Sequence, residues 1–206
     1  MQPAPCSDAA GHGTVGLVGP NAVLQLVPAL RQAGLEGLTR AIFAAGGAAG
    51  WLAAPPGAMV EQARVVRLHA ELRAALPEGQ ARAVLAVAGR LTADYLLANR
   101  IPRPVQAVLR MLPARVAAFV LVRAIRANAW TFAGTARFAA RSGRPSVFEL
   151  TGNPFCEDVE ATAPACVWHG AVFQRLFEVL VARRAHVEET ACAAVGGTVC
   201  RFEVRF

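Results

Sequence analysis

Four of the five cysteines fall in the last quarter of the chain. Such crowding in a protein expected to be intracellular indicates metal binding or thiol chemistry, because structural disulfides are kept reduced there. Cys166 begins a predicted helix, while Cys192 and Cys200 flank a predicted strand-turn-strand. We expect these three thiolates to converge and to hold zinc with a fourth ligand, for which Glu189 and Cys156 are the candidates.

Strand alternation limits the choice of that fourth ligand. In a regular strand Glu189 faces away from Cys192, so it can join the site only where the strand has ended or bulged. His186 and Glu188 share the face of Cys192 and are further alternatives. The plainer interpretation is that the cysteines are small buried hydrophobic residues, since their intervals do not match short CxxC knuckles.

The elements that must position these thiols form a helical half followed by a mostly β half. Apolar residues at helical spacing predict helices over residues 21–34, 59–76, 80–99, 105–126 and 164–182. Alternation of apolar and polar residues predicts strands from Trp130 towards Arg141 and over residues 146–150, 183–191 and 199–206. The predicted fold is α+β, with a helical N-terminal layer packed on a C-terminal, mostly antiparallel four-stranded sheet.

The composition favours one domain and disfavours a nucleic-acid binder. The 206 residues are 55% hydrophobic, which is ample for a single core. We expect residues 1–20, rich in Gly, Pro and Ala, to be a flexible arm and residues 21–206 to be one domain. The net charge of +7 comes from arginine alone, spread along the chain between apolar residues. This spread predicts no nucleic-acid binding and suits a carboxylate-bearing partner.

The sequence also suggests where the protein resides. Residues 1–13 show neither the positive region nor the apolar run of a secretory signal, so we expect a cytoplasmic protein. Residues 41–60 are free of charge and of transmembrane length, but they contain Pro55, Pro56 and many alanines. We therefore predict a buried loop or helix pair and no transmembrane span, with peripheral membrane contact left open.

Three runs near the carboxyl terminus resemble the closing pattern of the 4-vinyl-reductase domain family: residues 165–170, 187–192 and 196–204. The match is most specific over residues 146–206. Relatives of this domain serve as aromatic-effector sensors in bacterial transcription activators, and the fold is similar to that of vesicle-tethering subunits. In the sensor branch three zinc thiolates follow similar intervals, with a glutamate shortly before the middle one as fourth ligand. The resemblance thus implies Cys166, Glu189, Cys192 and Cys200, with Cys156 as the alternative to Glu189.

The resemblance implies a part in bacteriochlorophyll biosynthesis, at the 8-vinyl group of divinyl protochlorophyllide or a related Mg-tetrapyrrole, and any peripheral contact would be with the photosynthetic membrane. Reducing that group needs a hydride or electron source. A GxGxxG pattern at residues 11–16 lacks the preceding strand and the βαβ unit of a nucleotide site, and the cysteines do not follow an iron-sulfur pattern. We therefore expect a carrier or accessory protein. The reductase itself, or a sensor or scaffold that docks a pathway enzyme, remains an alternative, and a homodimer is left open.

A tetrapyrrole carrier needs a mostly apolar cleft, and a helical layer over a sheet can supply one. The aromatic residues expected to line it are Trp51, Trp130, Phe132, Phe138 and Phe173. Arginines at its mouth would meet the propionate, and His69 or His169 would be an axial base for magnesium. The structural alternative is that the histidines and aromatic residues belong to the core or, for His169, adjoin the metal site.

Overall fold

The computed structural model describes residues 15–156, 159 and 161–206. Its α-helices are α1 (Asn21–Leu24), α2 (Leu26–Gln32), α3 (Glu36–Ala45), α4 (Gly50–Ala53), α5 (Gln62–Ala75), α6 (Glu78–Asn99), α7 (Arg103–Met111), α8 (Ala114–Ala127) and α9 (Val167–Leu180). Its strands are β1 (Leu17–Val18), β2 (Val60–Glu61), β3 (Arg137–Arg141), β4 (Ser146–Thr151), β5 (His186–Ala191) and β6 (Val199–Arg205).

The main sheet has the order β3-β4-β6-β5, with every neighbouring pair antiparallel. Alternation along β6 divides the two faces as the sequence predicts: Cys200, Phe202 and Val204 are buried, while the intervening side chains are more exposed. The outer face carries ion pairs, including Arg201 with Glu149 at 3.2 Å. The α+β class, with helices first and a four-stranded antiparallel sheet later, is confirmed.

Helix α9 is the central element that joins the helical half to the sheet. On the sheet side, the Phe173 ring lies 4.6 Å from the Phe148 ring and 5.4 Å from the Phe202 ring, measured between centroids. On the other side α9 packs closely on α6 at Gly89, where a Cβ atom would overlap the backbone oxygen of Trp168. The site at the start of α9 is therefore held from two sides.

The strand predicted from Trp130 is wrong over its first part. Residues 129–131 form a 3₁₀ turn, and β3 begins only at Arg137. This segment bonds elsewhere: Thr131 O accepts a 2.6 Å hydrogen bond from Gly19 N, and Thr135 N donates to Gln62 Oε1 at 2.7 Å. These long-range bonds to the amino-terminal region satisfy the backbone in place of a ladder.

Two predicted helices are each divided in two, and proline explains both breaks. Pro113 has no N–H and disfavours the helical conformation at Leu112, whose ψ of 151° separates α7 from α8. Pro28 cannot donate to Leu24 O, and α1 ends there.

The beginning of the described chain is tied to the domain by a short sheet. Strand β1 pairs antiparallel with β2, so ordered structure begins before residue 21. The limits of the predicted arm and domain stay a prediction, and residues 1–14, with Cys6 and most of the GxGxxG pattern, lie outside the described residues. Over the described part of the chain, no helix combines the length and the hydropathy needed to cross a bilayer.

Candidate metal centre

Four cysteines meet at one end of the sheet and are called the cysteine quartet here. Cys156 lies in the turn after β4, Cys166 caps α9, Cys192 follows β5 directly, and Cys200 lies within β6. All four are buried, and their sulfurs lie within 4.8 Å of one another. The three thiols predicted to converge are thus together, and Cys156 joins them as the fourth.

The individual sulfur distances describe a compact group. Cys166 Sγ lies 2.9 Å from Cys156 Sγ and 3.2 Å from Cys200 Sγ. Cys192 Sγ lies 3.8 Å from Cys156 Sγ and 4.0 Å from Cys200 Sγ. All are longer than the roughly 2.05 Å of a disulfide bond, so the thiols are free. Four donors at such spacing can hold a metal ion.

Two glycines let the chain return to this point. Gly152, with a φ of +65°, turns the chain after β4 towards Cys156. Gly196, with a φ of +87°, turns it between Cys192 and Cys200. Only glycine adopts this left-handed conformation without steric cost. The GG pair predicted as a turn therefore sets the approach of the last two thiols.

The quartet cannot hold four negative charges by itself. A hydrogen bond to the Cys156 thiol and burial raise the pKa of Cys166, whereas hydrogen bonds from Cys156 and Cys166 lower the pKa of Cys200 to about 7. The pKa of Cys192 is lowered by the same two donors. Neighbouring sulfurs therefore share protons, because adjacent thiolates repel in a buried site. A bound cation would remove that conflict and let all four ionise.

Polar hydrogens point at the sulfurs from several sides. The buried Asn153 amide donates to Cys166 Sγ at 3.1 Å and to Cys200 Sγ at 3.5 Å. Ala165 N donates to Cys192 Sγ at 3.3 Å. Such bonds from surrounding groups orient and stabilise thiolate ligands. Sequence reasoning missed the role of Asn153, whose only signal was its place in the GNPFC segment before Cys156.

Glu189 lies beside the quartet. The register of β5 and β6 shifts between Glu189 and Ala191, so a bulge does occur where the sequence argument required one. Its Oε2 accepts a 2.9 Å hydrogen bond from Cys166 N, and its buried Oε1 has no partner among the described residues. Burial and the adjacent Cys192 raise the pKa of Glu189 to about 9. Of the further alternatives, His186 and Glu188 are exposed, and Glu188 pairs with Arg205 at 2.8 Å.

The residues predicted to bind a tetrapyrrole are not gathered around an open cleft. His69 and His169 are buried, and burial lowers their pKa values to about 3 and about 4. His69 Nε2 is bonded to Ala22 O at 2.8 Å. The Phe132 ring contacts other core rings, whereas Trp130 is 63% exposed. In the described part of the chain, these aromatic side chains fill the interior themselves.

An open groove of about 610 Å³ lies next to the quartet, between the α5–α6 helices and the segment before α9. Its residues are Arg73, Glu78, Ala81, Arg82, Leu85, Val159, Ala161, Thr162, Ala163, Ala165 and Val167. Arg73 donates to Phe155 O at 3.4 Å, and Arg82 donates to Pro164 O at 2.5 Å. Sequence reasoning expected arginines at the mouth of a cleft without placing them.

Comparison with known proteins agrees with this architecture. Residues 146–206, which contain all four thiols, match the 4-vinyl-reductase domain. The chain is 45% identical over 188 residues to the bacteriochlorophyll synthase 23 kDa chain of Cereibacter sphaeroides, covering 91% of this chain and 89% of the relative. It is 40% identical over 189 residues to the protein of the same name from Rhodobacter capsulatus, covering 90% and 85%. The chain therefore belongs to the family of the bacteriochlorophyll synthase 23 kDa chain and carries a 4-vinyl-reductase domain at its carboxyl end, which confirms the resemblance stated from the sequence.

Proposed function

We propose that this protein is an accessory chain of bacteriochlorophyll biosynthesis that binds a Mg-tetrapyrrole precursor, divinyl protochlorophyllide or a near relative, and presents it for reduction of the 8-vinyl group. The observation that carries this proposal is an arginine-lined groove beside the cysteine quartet in a chain whose relatives bear the name bacteriochlorophyll synthase 23 kDa chain. The metal centre and the groove have separate parts in it.

Zinc is the metal proposed for the quartet. A tetrahedral zinc site with Zn–S bonds of about 2.3 Å places its sulfurs about 3.8 Å apart, and the observed range of 2.9 to 4.0 Å spans that value. Thiolates are soft ligands that favour zinc over magnesium or calcium. Because four protein ligands leave no open position, the ion would be structural and would tie the ends of β5 and β6 to the start of α9.

The groove suits an amphipathic pigment. Its volume falls within the range of small-molecule sites, and Leu85, Val159 and Val167 offer apolar contact to a flat macrocycle. The guanidinium groups of Arg73 and Arg82 are anchored by backbone carbonyls, and their remaining N–H groups can bind a propionate carboxylate.

Magnesium would find oxygen ligands in the same groove. Magnesium is a hard cation that prefers oxygen, and the side chains of Glu78 and Thr162 line the groove. The groove lining does not include His69 or His169, the axial bases expected from the sequence. Within this proposal, an oxygen ligand or a bound water therefore takes the axial position.

A role as carrier agrees better with the described residues than a role as the reductase. Gly16, the last glycine of the GxGxxG pattern, leads into β1 and not into a helix. A dinucleotide site needs a helix amino terminus there to bind the pyrophosphate. In this proposal the hydride comes from a partner enzyme, and this chain supplies binding and orientation.

Pigment titration tests the proposal. The full chain should shift the absorbance spectrum of divinyl protochlorophyllide with a saturable dependence on protein concentration. Arg82→Gln removes one charge-assisted contact, worth about 1.5–3 kcal/mol, and should weaken binding by about tenfold to a hundredfold. Arg82→Lys keeps the charge but not the fork, so it should fall between the two.

Two controls sharpen that titration. Arg184→Gln alters an exposed arginine outside the groove lining and should leave the affinity unchanged. The pigment methyl ester, which lacks the carboxylate, should bind the native chain weakly and should respond little to Arg82→Gln. An unchanged pigment spectrum with the native protein, or equal losses in the two glutamine variants, would overturn the proposal.

A further inference from the structure

One stretch of the chain carries positive charge alone. Residues 95–148 contain nine arginines and no aspartate or glutamate, whereas the remainder has twelve arginines against fourteen acids. The nine are Arg100, Arg103, Arg110, Arg115, Arg123, Arg126, Arg137, Arg141 and Arg144. The overall charge of +7 therefore arises from this stretch, which contains α7 and α8. Sequence analysis, which noted only that arginines are spread along the chain, missed this asymmetry.

Helix α7 has its polar side turned inwards. Gln106 is buried, and its amide donates to Ile101 O at 2.8 Å. Arg110 also reaches back across the helix, donating to Gln106 Oε1 and to Val179 O, both at 3.1 Å. In a surface helix of a soluble protein the inward side is normally the apolar one, so α7 is inverted.

The outward side of α7 is apolar. Val105, Val108 and Met111, three residues apart, are 45%, 56% and 86% exposed. Helix α8, which follows after two residues and contacts α7, exposes Val116, Phe119 and Val120. These six residues, called here the α7–α8 apolar face, make up more than half of the large exposed apolar residues in the described chain.

Arginines border this face. Arg115 and Arg123 belong to the exposed side of α8, and the Arg123 guanidinium carbon lies 5.9 Å from the centre of the Phe119 ring. Among the described residues, Arg103, Arg115, Arg123 and Arg126 form no ion pair with an acidic side chain. Their charges are available to an external anion.

We propose that the α7–α8 apolar face docks on the surface of an anionic lipid bilayer. Exposed apolar side chains bordered by arginine are the pattern by which amphipathic helices lie in the headgroup region. The apolar residues would enter the upper part of the acyl layer, while the arginines meet lipid phosphates.

Charge complementarity favours a bilayer over a second copy of this chain. A symmetric dimer through this face would bring like-charged arginine borders together, which costs free energy. The projecting Met111 at the end of α7, with its flexible thioether, also suits a fluid medium better than a rigid complementary pocket. The inference is independent of pigment binding, which concerns the groove beside the quartet.

Vesicle sedimentation with the full metal-loaded chain tests this docking. The protein should bind vesicles of phosphatidylcholine mixed with phosphatidylglycerol, bind pure phosphatidylcholine much less, and dissociate with added salt. Arg115→Gln combined with Arg123→Gln should weaken partitioning by about thirtyfold, at about fivefold for each arginine near an anionic surface. Met111→Glu should also abolish most of the binding.

Leu38→Glu is the matched control, because Leu38 is an exposed apolar residue on a different helix, α3. It should bind vesicles like the native chain, and circular dichroism should show that every variant is folded. Equal binding to both vesicle types, no binding to either, or equal losses in Leu38→Glu and Met111→Glu would overturn the proposal. A dimer in gel filtration that Met111→Glu dissociates would overturn it in favour of a second copy.

Discussion

At the scale of single residues, the decisive question is which group completes the metal centre. The resemblance to the sensor branch implies Glu189, whereas the structure places the sulfur of Cys156 within reach of the other three thiols. Glu189 instead accepts a hydrogen bond from Cys166 N. With four thiolates around one zinc ion the site carries a net negative charge, so a neutral, protonated Glu189 is the form that fits beside it.

Exchange of the two candidates distinguishes these assignments. Cys156→Ser should lose its zinc to a competing chelator because a ligand is gone. Glu189→Gln should keep one zinc ion per chain, with an affinity lowered by about tenfold to a hundredfold, as expected for a partner around the ligands. Zinc content and competition titrations measure both.

Cys6→Ser is the control for loss of a thiol, because sequence analysis places Cys6 in the amino-terminal arm. It should retain the metal. The opposite pattern, in which Glu189→Gln loses zinc and Cys156→Ser keeps it, would show that the ligand set of the sensor branch applies here and that Cys156 is a buried neighbour.

At the scale of elements, the contact between α6 and α9 determines where the start of α9, and with it Cys166, can lie. Gly89 permits this approach, since a Cβ atom there would overlap Trp168 O and lie 2.8 Å from Ala171 Cβ. Backbone atoms of a packed helix cannot yield as a flexible side chain can. The two helices must therefore separate if residue 89 is enlarged.

Two glycines of the same helix make a matched pair for testing this contact. Gly89→Ala should lower the free energy of unfolding by about 1–3 kcal/mol through overpacking. Gly79→Ala, where a Cβ atom meets nothing within 4 Å, should raise it by up to about 1 kcal/mol through helix propensity. Urea denaturation of the metal-loaded protein measures both, and equal responses would show that α6 and α9 are not closely packed at Gly89.

At the scale of the whole molecule, buried neutral histidines make stability depend on pH. Burial lowers the folded-state pKa values of His69 and His169 from 6.5 to about 3 and about 4. Between these values and 6.5 the unfolded chain binds protons that the folded chain does not. Stability is therefore full above pH 6.5 and falls as the pH decreases below it, by up to about 1.4 kcal/mol per pH unit for each group.

His69→Gln tests this dependence because the glutamine amide can still donate to Ala22 O but does not titrate. Its free energy of unfolding, measured on the metal-loaded protein from about pH 7.5 to about pH 5.5, should decrease less steeply than that of the native chain. His186→Gln, which changes an exposed histidine, should follow the native slope. A native slope in both variants would place the dependence elsewhere.

The sequence alone determined the features that depend on local periodicity. The alternation along β6, the helical spacing over α6 and α9 and the glycine turn before Cys200 are confirmed, because short-range patterns report directly which side of an element is buried. Three thiols of the quartet were also predicted, since strands joined by a tight turn bring their ends together.

The tertiary structure decided what depends on contacts distant in sequence. The segment after Trp130 alternates like a strand but bonds to Gly19 and Gln62, and no local pattern reveals such partners. Cys156 reaches the quartet only through the path of the chain after β4, and α7 turns its polar side inwards because Gln106 and Arg110 find carbonyls on other segments. A sequence pattern shows that a side chain is polar or apolar, but only the packed chain supplies the partner that determines where that side chain lies.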